Sequence, residues 1–268
     1  MISGDDAARD ALLGAMWRDY TALTPHAAVV HALLEARGER IVNDHVALRT
    51  YDVPAIGMAR LGATFEALGW TPADTYRFDD KHLRAQYWAP PAPGLPKVFI
   101  SELELHALPA EAQAEVATLV AQLPADFAVH AIAGRPWQVS HATYRRLLAV
   151  SEYAAWVAAF GFRVNHFTVD VNALRTVDGL AALNDVLVGA GLTLSDAGGR
   201  IKGTPADLLE QSSTLAEQID VAFTDGVHRV PSCYYEFARR YPRPDGVLFQ
   251  GFVPTSANRL FESTNVAR

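Results

Sequence analysis

Cysteine is almost absent from this chain: Cys233 is the only one among 268 residues. An intramolecular disulfide is therefore impossible and a thiolate zinc site is excluded, so any metal must sit on nitrogen and oxygen ligands. Long apolar runs are missing as well. No segment offers the roughly 18 uncharged apolar residues of a spanning helix, and Met1-Ile2-Ser3-Gly4-Asp5-Asp6 lacks the basic region and apolar stretch of a secretory leader. The expectation is a cytoplasmic protein with no membrane partner. Nor is there an excess of positive charge: 23 lysines and arginines stand against 30 aspartates and glutamates, mixed along the chain, for a formal net charge of −7. That balance leaves no electrostatic footprint for nucleic acid. Low-complexity tracts are absent too. What is abundant is apolar material, half of all residues, enough for a sizeable core.

Two stretches organise the rest. In Asn43-Asp44-His45-Val46-Ala47-Leu48-Arg49-Thr50-Tyr51, Val46 and Leu48 alternate with His45, Ala47 and Arg49; in Arg163-Val164-Asn165-His166-Phe167-Thr168-Val169-Asp170-Val171, Phe167 and Val169 alternate with His166, Thr168 and Asp170. Period-two alternation marks strands whose histidines share the more polar face, opposite an apolar face that packs on helices. The same pattern occurs twice.

Each histidine strand opens a similar series. Before the first lie two helices, the second opening with Thr24 as its cap and Pro25 at the first helical position and closing at Gly38. His26 and His31 fall here and read as helix histidines with no ligand set around them. After the first strand come a helix over about 55–68 and strands near Tyr76–Phe78, Ala85–Trp88 and Lys97–Leu103. Residues 106–161 read as a helical pair inserted between the units, with Trp137 and Trp156 as core residues. The second strand is followed by a helix near Leu180–Gly191 and strands near Arg200–Gly203, Ile219–Phe223 and Arg229–Phe237, with Thr204–Gln218 as a loop or short helix. Leu248–Val253 and Asn258–Phe261 close the chain. The expected organisation is one domain: helices over 1–42, a first βαβββ module over 43–105, the insertion, and a second module with the C-terminal segment over 162–268.

Glu236 sits among Cys233, Tyr234, Tyr235 and Phe237, where a charge is costly unless paired or metal-bound. His45, His166 and Glu236 would make two imidazoles and one carboxylate, a set that leaves positions open on Fe(II). Pairing of Glu236 with Arg239 or Arg240 is the alternative. Glu102, in the last strand of the first unit, reads as the repeat counterpart of Glu236 and a candidate fourth ligand. Arg49, four residues beyond His45 on the same face, lies roughly 13 Å further at about 3.3 Å per residue. It can hold the far carboxylate of a diacid bidentately, or else pair with an acid such as Asp52.

The stretches Asp44-His45-Val46-Ala47-Leu48-Arg49-Thr50, Asn165-His166-Phe167-Thr168, Gln211-Ser212-Ser213-Thr214, Tyr235-Glu236-Phe237-Ala238-Arg239-Arg240, Gly251-Phe252 and Phe261-Glu262-Ser263-Thr264 resemble the 2-oxoadipate dioxygenase/decarboxylase family, also called hydroxyglutarate synthase. That family is similar to the vicinal oxygen chelate superfamily. The resemblance implies an α+β fold in which two βαβββ modules form a cupped mixed sheet around a metal. It implies Fe(II) on His45, His166 and Glu236, with Arg49 recognising substrate and Glu102 not a ligand. Gln211, Ser212 and Gly251 are implied to line the substrate pocket or stand behind its wall. The implied reaction converts a 2-oxo diacid, with O2 and no separate 2-oxoglutarate co-substrate, to CO2 and a shortened 2-hydroxy acid; for 2-oxoadipate that is 2-hydroxyglutarate. Rival readings are a redox-inactive metal isomerase or lyase using Glu102 or Glu236, and a non-catalytic small-molecule binding module.

Overall fold

The computed structural model describes residues 4–254. The closing segment Asn258–Phe261 and the Phe261–Thr264 motif lie outside the described residues. Eight strands form one mixed sheet, in the order β2-β3-β4-β1-β5-β10-β7-β6. Its first half is β1 (Asn43–Tyr51), α3 (Met58–Glu66), β2 (Thr71–Phe78), β3 (Leu83–Ala89) and β4 (Lys97–Leu103). The second half is β5 (Val164–Asp170), α7 (Gly179–Gly189), β6 (Lys202–Thr204), β7 (Leu209–Ser213) and β10 (Glu236–Arg240). In each half the first strand pairs parallel with the last and the middle strands run antiparallel beyond it. Antiparallel pairing of β1 with β5 joins the halves at the centre. The result is an α+β fold of two βαβββ modules in one cupped sheet.

Alternation decides which face is which. Phe167 packs edge-on against Trp17 (5.1 Å between centroids) and lies 5.2 Å from Tyr20, both on α1 (Gly4–Leu23). Helices α3 and α7 lie over the same face of the modules, where Ser212 Oγ donates to Asn184 Oδ1 of α7 at 2.7 Å. That leaves His45, Ala47, Arg49 and His166 on the opposite face. Between the modules lie α4 (Ala110–Val120), α5 (His141–Leu148) and α6 (Glu152–Phe160), three helices where a pair was expected. The second expected helix is cut at Ser151, whose Oγ accepts from Ala154 N at 3.1 Å and so starts a new helix. Trp137 and Trp156 are buried and donate to the carbonyls of Ala158 and Ser232, as a core role requires.

Three further readings need correction. Thr204–Gln218 is neither loop nor short helix, because Leu209–Ser213 forms β7 between β6 and β10. The expected strand over Arg229–Phe237 is two strands: β9 (Gly226–Pro231) pairs only with β8 (Gln218–Phe223), in a hairpin of its own inserted before β10. Thr24 stands before α2 (Pro25–Ala36) without a side-chain cap. Glu217 Oε1 supplies the acceptor instead, 3.1 Å from His26 N. His26 also bridges Glu217 and Thr214, and His31 meets Tyr235 OH; both histidines brace α2 and stand apart from the polar face described next.

Candidate metal centre

On the face opposite those helices, β1, β5 and β10 lie side by side and present His45, His166 and Glu236. Glu236 is level with Thr168 on β5, which is level with His45 on β1, while His166 is level with Ala47. The three side chains are buried, and their ligand atoms all lie within 4.8 Å of one another, the one such cluster among the described residues. His45 Nε2 is 3.5 Å from Glu236 Oε1, and His166 Nε2 is 3.3 Å from Glu236 Oε2.

Both imidazoles are turned by the same local device. The β1–β5 register steps from Asn43↔Val169 to His45↔Thr168, so Asp44 is an extra residue on β1; it then steps from Ala47↔His166 to Leu48↔Val164, so Asn165 is extra on β5. A β-bulge breaks the strict alternation of faces and re-aims the side chain beside it. Each bulged residue reaches the ring that follows it: Asp44 Oδ1 is 2.8 Å from His45 Nδ1, and Asn165 Oδ1 is 2.9 Å from His166 Nδ1. An oxygen acceptor at Nδ1 places the ring proton there and leaves the Nε2 lone pair of a neutral ring toward Glu236.

This donor set fits a divalent metal. Burial, then the neighbouring His45 ring and the Arg49 guanidinium, push His166 well below the usual histidine range and keep it neutral. Burial raises the Glu236 carboxyl, opposed by His45 and by Gln211, whose Nε2 donates to Oε1 at 2.6 Å. The Thr168 hydroxyl meets His45 Nε2 at 3.1 Å, whereas the His166 lone pair faces the buried Glu236 carboxylate, an electrostatically unfavourable arrangement unless a cation lies between them. Ligand atoms about 2.1 Å from one ion, in tetrahedral or octahedral geometry, are themselves about 3.0 to 3.4 Å apart, close to the separations found here.

Behind His45 the support is charged. Burial disfavours the Asp44 carboxylate, but the Arg240 guanidinium outweighs it and holds the group well below the usual carboxylate range. Arg240 Nε and Nη2 meet the two Asp44 oxygens at 2.6 and 2.8 Å, and Lys97 Nζ is 3.7 Å away. Arg240 is thus taken by Asp44, so the alternative pairing of Glu236 with Arg239 or Arg240 is not what forms.

A narrow cavity lies beside the triad, walled by Phe99, Tyr234 and Phe252 and reaching Ser101 and Arg49. Arg49 is level with Ser101 and two residues along β1 from the level of His166, about 7 Å. It is 1 % exposed, with Nη1 3.2 Å from Glu152 Oε1 and the guanidinium 4.9 and 5.3 Å from the ring centroids of Tyr153 and Trp156. Asp52 is occupied elsewhere, accepting from Leu105 N.

The other expected residues divide between the cavity, its backing and the opposite face of the sheet. Gln211 lines the cavity and holds Glu236, but Ser212, one position on, points to α7 as strand alternation demands. Gly251 is not on the cavity wall; its carbonyl accepts from Arg240 Nη1 at 2.7 Å, and Phe252 forms the wall. Glu102 is no counterpart of Glu236. With the histidines aligned, Glu236 lies beside the residue two beyond His166 and Glu102 beside the residue five beyond His45; the odd offset puts Glu102 on the other face, and Phe99 takes the equivalent place. There Glu102 accepts from Arg84 Nη2 at 2.7 Å and from Met58 N, at the start of α3, at 2.8 Å. Sequence reading missed the roles of Asp44, Asn165, Arg240 and Tyr234, and placed Phe252 at the pocket wall. The one visible signal was an acid or amide directly before each histidine.

Paired βαβββ modules closed into one cupped sheet, with two histidines and a glutamate meeting on one face, define a fold of the vicinal oxygen chelate type. The profile of the 2-oxoadipate dioxygenase/decarboxylase family matches residues 11–123 and 114–247, and the chain belongs to that family. It is 31 % identical over 266 residues to the Arabidopsis thaliana protein named 2-oxoadipate dioxygenase/decarboxylase, chloroplastic, covering 88 % of this chain and 72 % of that one. The crystal structure of hydroxyglutarate synthase in complex with 2-oxoadipate from Oryza sativa superposes with a TM-score of 0.90 at 28 % identity, covering 99 % and 95 % of the two chains. A Shewanella frigidimarina NCIMB 400 structure provisionally described as a hydrolase superposes at 0.87 with 45 % identity, covering 92 % and 98 %.

Proposed function

We propose that this protein is an Fe(II)-dependent enzyme that converts a 2-oxo diacid, 2-oxoadipate foremost, with O2 to 2-hydroxyglutarate and CO2. The observation that carries the reading is the buried His45, His166 and Glu236 cluster, with both Nδ1 atoms engaged by Asp44 and Asn165. Two imidazoles and one carboxylate are the ligand set of non-haem iron oxygenases with positions left open. Ferrous iron bound there supplies a Lewis acid and the electrons for oxygen chemistry.

The chain's own residues do the rest. Arg49 binds the distal carboxylate through its planar fork, and the rings of Tyr153 and Trp156 hold that fork in place. Phe99, Tyr234 and Phe252 exclude water from the reacting end. Burial pushes the Tyr234 phenol well above its ordinary range, so it remains a neutral donor beside His166, whose ring it stacks on at 4.7 Å.

Two histidines and a glutamate also hold zinc in some hydrolases, and the Shewanella frigidimarina relative's description invites that comparison. Hydrolysis needs a base for water, and among the described residues the cavity lining offers no carboxylate besides Glu236. The isomerase reading loses its fourth ligand because Glu102 faces α3. A cytoplasmic location is part of the same proposal, to be tested by cell fractionation.

The test is anaerobic addition of Fe(II) and 2-oxoadipate, followed by oxygen. A weak visible charge-transfer band, then one CO2 and one 2-hydroxyglutarate per O2 consumed, is expected. Turnover of the zinc-loaded protein without O2 would refute the proposal.

A further inference from the structure

Arg240 belongs to none of the three ligands and does not line the cavity, yet its guanidinium touches both the support of the triad and the cavity's wall. It is 3 % exposed. Two of its nitrogens grip Asp44, which holds His45 Nδ1. Nη1, the third, donates to the carbonyls of Phe249 and Gly251 at 3.1 and 2.7 Å. Those carbonyls flank an irregular strap that ends β10's excursion and brings Phe252 back over the site. The Phe252 ring lies 5.3 Å from the Arg240 guanidinium, edge-on to His45 at 4.9 Å and 4.7 Å from Phe99. Its backbone N donates to Tyr76 OH at 3.0 Å.

Resting on the metal-centre reading above, we propose that Arg240 is a positioning residue that makes seating of the Phe249–Phe252 strap and orientation of the His45 imidazole a single event. A guanidinium has a rigid planar set of five donors. Turning it to release the two strap carbonyls therefore rotates the nitrogens gripping Asp44. The contact is built for a fork: a lysine ammonium offers a point charge and cannot span both Asp44 oxygens and the strap at fixed angles. His166 has no such connection, since its Nδ1 partner is the amide of Asn165. Strap movement should thus be felt at one imidazole and not the other.

The test uses the full chain loaded with Co(II), whose visible bands report ligand geometry. Arg240→Gln and Arg240→Lys should each weaken Co(II) binding about 10- to 100-fold, the range for groups that orient metal ligands, and shift the bands. They should also speed hydrogen exchange in the peptide covering Phe249–Phe252. Because Arg240→Gln leaves Asp44 buried without its partner and can fail to fold, Asp44→Asn/Arg240→Gln provides a neutral pair for the same measurements. Tyr76→Phe, which touches the strap and not Asp44, should loosen the strap and shift the Co(II) bands in the same direction with a smaller loss of affinity. Unchanged bands and affinity in the folded Arg240 variants, or a looser strap in Tyr76→Phe with unaltered bands, would overturn the proposal. Failure of the wild-type protein to bind Co(II) at all would instead overturn the metal-centre reading beneath it.

Discussion

Replacing Arg49 separates recognition of a diacid from assembly of the metal centre. Arg49 stands on β1 on the side away from the level of Glu236, two residues or about 7 Å along the strand from the level of His166. Losing the partner of a substrate carboxylate in a closed cavity costs on the order of 2 to 5 kcal/mol, or roughly 30-fold to several thousand-fold in kcat/KM. Arg49→Ala should therefore lose that factor on 2-oxoadipate. It should lose little on 2-oxohexanoate, a monoacid of equal length that never used the arginine. Metal binding should be preserved or slightly strengthened, because the Arg49 charge bears on His166. The guanidinium also packs against Tyr153 and Trp156, so truncation will cost stability through lost contact. Arg49→Lys controls for this by keeping charge and bulk while losing the fork, and should fall between. The assays are steady-state kinetics on both acids, metal content by elemental analysis, and thermal melts. Equal penalties on monoacid and diacid, or loss of metal in Arg49→Ala, would refute the reasoning.

Glu102→Gln should leave metal content unchanged and cost about 1 kcal/mol in urea unfolding, since it weakens the bonds to Arg84 and to the first turn of α3; loss of metal would return Glu102 to the ligand set. Gln211→Leu removes the donor that fixes Glu236 Oε1 and should weaken metal binding about 10- to 100-fold, read by competition with a chromophoric chelator. Glu39 accepts backbone N–H groups from Thr176 and Arg175. Hydrogen bonding to Thr176, then the backbone bonds and the Arg175 charge, holds its carboxyl below the usual range against burial. The folded value lies below the unfolded one, so this contribution to stability is complete above the unfolded value of about 4.3 and is lost as pH falls through the folded one. Glu39→Gln should flatten that part of the stability profile, and an unchanged acid slope would remove Glu39 from the account.

The strand and helix that open each unit were legible in the sequence because they are written locally. Val46 and Leu48 alternate with His45 and Arg49, and Phe167 and Val169 with His166 and Thr168, and that periodicity assigns faces without knowledge of neighbours. The three side chains that meet were also visible, as polar groups in apolar runs, where burial leaves few tolerable states. Tertiary pairing decided the rest. Leu209–Ser213 has no strong period of its own and becomes a strand because β6 and β10 flank it. Glu102 and Glu236 look equivalent by element order, and only the register with β1 and β5 puts them on opposite faces. The bulges at Asp44 and Asn165 exist only as mismatches between two strands far apart in the chain, so no single segment could encode how they aim the imidazoles. Arg240 and Asp44 are 196 residues apart. Sequence determines which groups can bear charge or lone pairs; strand register, a property of two segments at once, determines which of them meet.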